Sequence, residues 1–594
     1  MTISNQDYKL LDFIRVPFQV SPIMILLMVA EKIIASVIPS IQIIIIANFI
    51  DTAIGIFNGN MEADSIVMPL VLILLLQSYK YIVGILKGLL VTKLCNKLTE
   101  TYRVAITEKR ARLEYKHVEN NETWDLIERV GNDPSNNLYG GLDILLSMVG
   151  IIVQIFSTLF VIMSQIWWVG LMLITFSIPL LCLAVKSGKV NYQASQEAAK
   201  YTRRSEYMKS VLTSRDNVEE RTLFGYFDEI NKQYLDKFTS AYHINYKTQR
   251  DRFIKMKSAS LITVVISIVI ASVLISPLGS GSISIGLFMV LVTSTFDLAQ
   301  LMSWRLTHIT SQLANNREYF RDLSIFSKLS EVANVTELPS ENISKPECVE
   351  FRNVSFAYPG TNRMILKNLN LKLYAKKCYA IVGANGAGKT TITKLLTGLY
   401  DNYTGDILVD GVNLHTFTQS EKKALFSVVY QDYAKYQICM RDSIGLGNVN
   451  GASDKDIMDA IEVLGLGKTV KKLPSGLDTP IGKMMKGGID LSGGEWQRVA
   501  IARTLVNYAP MYLLDEPTAA LDPVAESELY AMFGKVCKGK TTVLITHRLG
   551  AAKLADEIIV IANGCVAELG SHDTLMKLGG IYSEMFEAQK GWYE

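Results

Sequence analysis

At 594 residues, 49% of them hydrophobic, with a mean hydropathy of +0.21, the chain has room for several folding units and is too apolar for an ordinary soluble protein. A formal net charge of +3 with no long basic tract is too weak to argue for nucleic acid, which is not an expected partner. Seven scattered cysteines without a C-x-x-C spacing point to packed, reduced thiols and away from a zinc or redox centre.

The opening MTISNQDYKLLDFIRVPFQVSP has no basic start, continuous apolar core or small-residue cleavage site, so it does not read as a cleavable signal. It reads as an amphipathic helix lying on a membrane, with Leu10, Leu11, Phe13 and Ile14 on the buried side. Six apolar stretches follow, at 23–49, 67–91, 142–163, 167–185, 261–275 and 283–302. Each is read as a membrane-crossing helix, since a hydrocarbon core takes about 20 helical residues. Several run on into charged, helix-prone sequence, which predicts helices extending beyond the bilayer.

Lysine and arginine set the orientation. The turns GIFNGNMEADS, SQIWW and SPLGSGS carry none, while the stretches from Tyr102 to Arg129 and from Lys186 to Lys257 are rich in both. The long connections and the N-terminus are therefore expected in the cytoplasm. Within those connections, YKHVENNETWDLIERV and SRDNVEERTLFGYFDEI read as short helices presented to a partner domain, the alternative being solvated hairpins. Glu31, Lys32, Lys80, Lys87, Asp297 and Arg305 lie in or near the spans. They are either functional groups at depth or snorkelling ends.

A polar stretch ending at residue 347 then divides the chain. The expected domains are a transmembrane domain with six helices and two cytoplasmic coupling segments over 1–330, a linker over 331–347, and a nucleotide-binding domain over 348–594, whose strands and helices alternate as in an α/β fold. GANGAGKT matches the phosphate-loop pattern, with Gly383, Gly388, Lys389 and Thr390 in place and Asn385, Gly386, Ala387 and Thr391 completing the cradle. Its amides close around phosphate oxygens, Lys389 brings a point charge, and the Thr390 hydroxyl can ligate Mg²⁺. APMYLLDEPTAALD reads as a buried strand, Met511 to Leu514, that delivers Asp515 to a metal's water shell and Glu516 to an attacking water; a helix N-cap pair is the structural alternative. Between them, LSGGEWQRVAIARTL opens a helix at Ser492, Gly493 and Gly494, where free amides and the positive dipole end suit an anion.

With these motifs the chain resembles an ATP-binding cassette exporter whose membrane and nucleotide-binding domains are fused. The resemblance implies a polytopic α-helical membrane domain followed by an α/β P-loop ATPase that uses ATP and Mg²⁺. FAYPG resembles the aromatic loop, placing Tyr358 on adenine; VVYQDYAKY resembles the Q-loop, making Gln431 a magnesium and water ligand; AALD resembles the D-loop with Asp522; LITHRL resembles the switch whose His547 contacts the γ-phosphate. One phosphate loop and one signature per chain imply a dimer, and the competent catalytic positions favour a homodimer with a heterodimer left open. Two positions depart from the pattern: Glu495 stands where many relatives have Gln, and Lys486 where an acidic residue is usual.

Among exporters, LSGGEWQR, YQDYAKY and GGIYSEMFEAQKGWYE are most similar to those of lantibiotic and bacteriocin peptides, in a bacterial inner membrane. An N-terminal cysteine-protease domain is not expected, the first cysteine being Cys95. A multidrug or lipid exporter of the same fold, acting on amphipathic small molecules or membrane lipid, and a membrane-anchored ATPase that moves no cargo are the alternatives.

Overall fold

The structure, a computed structural model, describes residue 3 and residues 5–301, 305–341, 345–449, 451–517, 534 and 539–590. Its contacts separate two units, Met1–Ala111 with Asp125–Leu329, and Arg112–Trp124 with Ser330–Glu594.

Helices run in chain order as α1 (Asp12–Val20), α2 (Pro22–Phe57), α3 (Val67–Leu98), α4 (Val104–Arg112), α5 (Tyr115–Glu119), α6 (Asn121–Gly131), α7 (Pro134–Gln165), α8 (Trp167–Thr213), α9 (Val218–Phe224), α10 (Phe227–Gly279), α11 (Ile285–Gln300) and α12 (Leu306–Ser327). Proline opens α2 and α7, where the first helical amide has no partner to lose, and the Ser284 side chain caps α11. The six apolar stretches fall on α2, α3, α7, α8, α10 and α11. Among the described residues three helical segments are long and apolar enough to cross a membrane: Pro22–Phe57, Ala63–Arg112 and Pro134–Gln165.

Small and hydroxylated residues let α2 and α7 meet closely. At Gly150 an added Cβ would lie 2.7 Å from Lys32 Cε and 2.8 Å from Ser36 Oγ. Further along, Ser40 Oγ is 2.7 Å from Ser157 Oγ and 3.1 Å from Thr158 Oγ1. Several ionisable groups of the spans find neighbours here: Lys32 donates to Ser147 Oγ at 3.2 Å, Lys80 to Gln42 Oε1 at 2.8 Å, and Lys87 faces Asp143 at 3.9 Å. Helix α1 departs from the surface-helix expectation. Phe13 stacks on Phe320 of α12 at 3.8 Å and is fully buried with Val16, while Leu11 is 75% exposed, so the buried side meets protein rather than lipid alone.

The second unit is an α/β structure. An antiparallel sheet has the order β2 (Met364–Tyr374), β1 (Cys348–Ala357), β4 (Thr404–Val409), β5 (Val412–Asn413); a second has the order β10 (Cys565–Gly570), β9 (Glu557–Ala562), β3 (Cys378–Val382), β8 (Thr541–Ile545), β7 (Met511–Asp515), β6 (Phe426–Val429). The pairs β9–β3, β3–β8, β8–β7 and β7–β6 are parallel. Parallel strands are covered on both faces, and the continuous apolar runs of β3, β7 and β8 are accordingly almost wholly buried. Helices α13 (Lys389–Leu396), α14 (Gln419–Leu425), α15 (Met440–Gly445), α16 (Asp454–Val463), α17 (Gly467–Lys472) and α18 (Gly493–Leu505) complete the part of the unit used below.

Candidate functional site

Ligand sites of open parallel sheets form where the strands end. The carboxyl ends of β3, β6, β7 and β8 here deliver the phosphate loop, Gln431, the pair Asp515 and Glu516, and His547. Register keeps them level: Ile381 and Asp515 both pair with Ile545.

After β3 the chain turns at Gly383, with φ +149° and space only for a hydrogen, because a Cβ would sit 2.2 Å from the Ile561 carbonyl oxygen. Lys389 folds back over the loop and donates to the carbonyl oxygens of Gly383 at 3.0 Å and Ala384 at 3.1 Å. Burial lowers its pKa, with the carboxylates of Glu516 and Asp515 opposing. An incoming phosphate would replace those two carbonyls as the partner of the ammonium.

Asp515 is fully buried, and neither carboxylate oxygen has a hydrogen-bond partner. Burial pushes its pKa up to about 6, against the pull of the Thr390 hydroxyl and the Lys389 charge. A buried, unpartnered carboxylate beside a hydroxyl fits a hard cation approached through oxygen ligands. Glu516 follows with left-handed φ of +49°, unusual for a side chain of this size. Its amide donates to the Ile545 carbonyl at 2.9 Å, and its Oε1 accepts from His547 Nε2 at 2.6 Å. Burial and the Lys389 charge lower the His547 pKa, with the Glu516 carboxylate opposing.

Tyr358, Asn385, Lys389, Gln431, Glu516 and His547 line one cavity of about 580 Å³, together with Gly386, Gly388, Thr390 and Thr391. The Tyr358 hydroxyl lies 3.0 Å from Thr391 Oγ1. Ala387 packs on the core below, and Gly383 and Asp515 lie outside the lining. Ser492, Gly493 and Gly494 are also apart from the cavity, at the start of α18. There Ser492 and Glu495 form a capping box, and Glu495 Oε1 accepts from Thr469 at 2.7 Å. The departure at Glu495 thus has a structural use. Lys486 is exposed, and Asp522 lies outside the described residues. One contributor escaped the sequence reading: Gln589, in the helix Ile581–Lys590, donates to the His547 carbonyl at 3.0 Å and accepts from the Leu549 amide at 2.6 Å. No motif marks it, because its role is set by a partner some 40 residues away.

Residues 366–519 match the ABC transporter family. Over 486 residues, 82% of this chain and 79% of the relative, the sequence is 31% identical to the subtilin transport ATP-binding protein of Bacillus subtilis. This chain belongs to the ABC transporter family. The transporter is also 26% identical over 573 residues, 94% of its length and 92% of the relative's, to the nisin transport ATP-binding protein of Lactococcus lactis subsp. lactis. It is 29% identical over 485 residues, 79% of each chain, to the ATP-dependent lipid A-core flippase of Escherichia coli (strain K12). Its fold is similar to that of a bacterial Atm1-family ABC exporter with ATP bound, at a TM-score of 0.75 and 24% identity, covering 95% of this chain and 98% of the other. The ABC transporter is therefore an integral membrane exporter that couples ATP hydrolysis to transport, with a helical N-terminal region and its ATPase in one chain.

Proposed function

We propose that this exporter moves a peptide of the lantibiotic or bacteriocin type out of a bacterial cell, across the inner membrane, as a homodimer. The observation that carries the ATP chemistry is the convergence of Lys389, Glu516 and His547 on one cavity above the unpartnered Asp515. Peptide cargo is supported by the two relatives named for subtilin and nisin transport. Six spans over residues 1–330 would place the N-terminus and the 348–594 ATPase domain, after the 331–347 linker, in the cytoplasm.

Tyr358 would stack on adenine. The loop from Gly383 to Thr391 would hold the phosphates, with Lys389 turning from its carbonyls to the β and γ oxygens. Glu516 would orient and deprotonate the attacking water while His547 holds its carboxylate and meets the γ-phosphate. Thr390, Gln431 and Asp515 would hold Mg²⁺, which when bound neutralises charge on the phosphates. Ser492, Gly493, Gly494 and Asp522 of a second copy would close the site. ATP then favours the closed pair, because only that state gives it both sets of contacts.

Lipid export is the second reading, favoured by the 29% identity to the lipid A-core flippase. The purified protein in lipid vesicles separates the two. ATP-dependent movement of leader-bearing or modified peptides, absent in Glu516→Gln, is the expected result. Stimulation by lipids or many amphiphiles with no peptide movement would favour the second reading, and ATPase without any vectorial cargo would overturn both.

A further inference from the structure

Segment Arg112–Trp124 is sequence from among the membrane helices, yet it packs as part of the ATPase unit. The Val332 amide donates to the Arg112 carbonyl at 2.8 Å, His117 Nε2 is 2.8 Å from Ser330 Oγ, and Ser330 Oγ donates to Glu114 at 2.7 Å. What this segment reaches is the cavity's aromatic wall. Tyr115 meets Tyr400 edge-on at 5.5 Å, and Tyr400 meets Tyr358 edge-on at 5.5 Å.

Lys394 stands among all three rings. Its ammonium lies 5.2 Å from the Tyr115 centroid, 5.3 Å from that of Tyr358 and 6.0 Å from that of Tyr400, and pairs with Glu119 Oε1 at 3.3 Å. It is carried on α13, the same short helix that begins with Lys389 and Thr390. Tyr358 is held on its other sides by the edge of Phe356 at 5.1 Å and by Thr391, which leaves the cavity as the place where a ligand can press on it. A cation shared among rings follows them when one is displaced, since each attraction falls off within about 6 Å.

We propose that Lys394 is a positioning residue that ties nucleotide occupancy at Tyr358 to Arg112–Trp124, through Tyr115 and Glu119. The link rests on the reading of Tyr358 as the adenine platform. It gives one chain a direct route from base stacking to the segment that joins its membrane helices, separate from the phosphate end of the site.

The test uses the full-length protein in lipid bilayers, in a Glu516→Gln background so that ATP persists. ATP binding and hydrogen exchange of the 112–124 amides are measured together. ATP is expected to raise protection of these amides in the background protein and in Lys394→Arg. Lys394→Met and Glu119→Gln should still bind ATP but lose the ATP-dependent gain. Glu119→Gln probes the link from outside the nucleotide core, so it still reports if Lys394→Met misfolds. Retention of the full gain in Glu119→Gln, and in any folded Lys394→Met, overturns the proposal. Loss of ATP binding in a folded Lys394→Met also overturns it, because the lysine would then be a nucleotide ligand. Unchanged ATP affinity in Tyr358→Ala overturns the platform reading itself, and with it this route, whatever the other variants show.

Discussion

Strand β7 and helix α3 are both apolar runs, and they solve opposite problems. Every side chain of Met511–Asp515 is buried, whereas the most apolar stretch of Ala63–Arg112 is 0% buried within the chain. The strand needs protein on both faces and ends at the buried Asp515, with Glu516 next in the chain. The helix satisfies its own backbone, and its apolar side chains, left uncovered within the chain, suit a medium as apolar as they are. Identity is thus dictated residue by residue in one region and only by class in the other.

The largest effect that would sharpen this contrast is at Glu516. Glu516→Gln is expected to cut ATP turnover by about 100-fold or more while ATP still binds. Leu74→Ile with Leu75→Ile, both exposed on α3, should leave turnover within about twofold. Steady-state ATPase assays in bilayers check both, and equal losses would break the comparison.

Glycine exchange gives the next largest difference. Gly383→Ala drives a Cβ against the Ile561 carbonyl at a left-handed φ and should cost roughly 2 kcal/mol or more, with loss of nucleotide binding. At Gly84 of α3 an added Cβ meets nothing within 4 Å, so Gly84→Ala should change stability by under about 1 kcal/mol. Melting temperatures of the two purified variants decide it.

A third difference is a pH dependence confined to the ATPase unit. Asp515 binds its proton more tightly folded than unfolded, about 6 against 3.8. The folded state is therefore relatively more stable below pH 4, loses that advantage as pH rises toward 6, and carries the full cost of the buried charge above it. That cost is on the order of 3 kcal/mol without a bound cation. Without nucleotide, Asp515→Asn should melt higher than the parent at pH 7 and converge with it near pH 4.

Sequence made the ATPase strands and loops legible because phosphate and water chemistry admit few residues at fixed spacing: GANGAGKT, LLDE and LITH each mark a strand end. Gln589, Lys394 and the stacking of Phe13 on Phe320 were not legible. Each is an ordinary residue given meaning by a partner distant in the chain. Membrane helices sit between these cases, since hydropathy marks where they run while the α2–α7 contact depends on which serines and glycines face each other.

The left-handed backbone at Glu516 also limits how this protein can change over evolutionary time. Glycine and asparagine adopt that conformation readily, whereas valine or isoleucine there would strain the chain. On the role proposed for Glu516, mutational drift can therefore silence the site through a small polar or glycine replacement that this backbone accepts. A duplicated gene could thus retain a well-folded, nucleotide-holding subunit that no longer turns over, the raw material for an asymmetric pair with one working site.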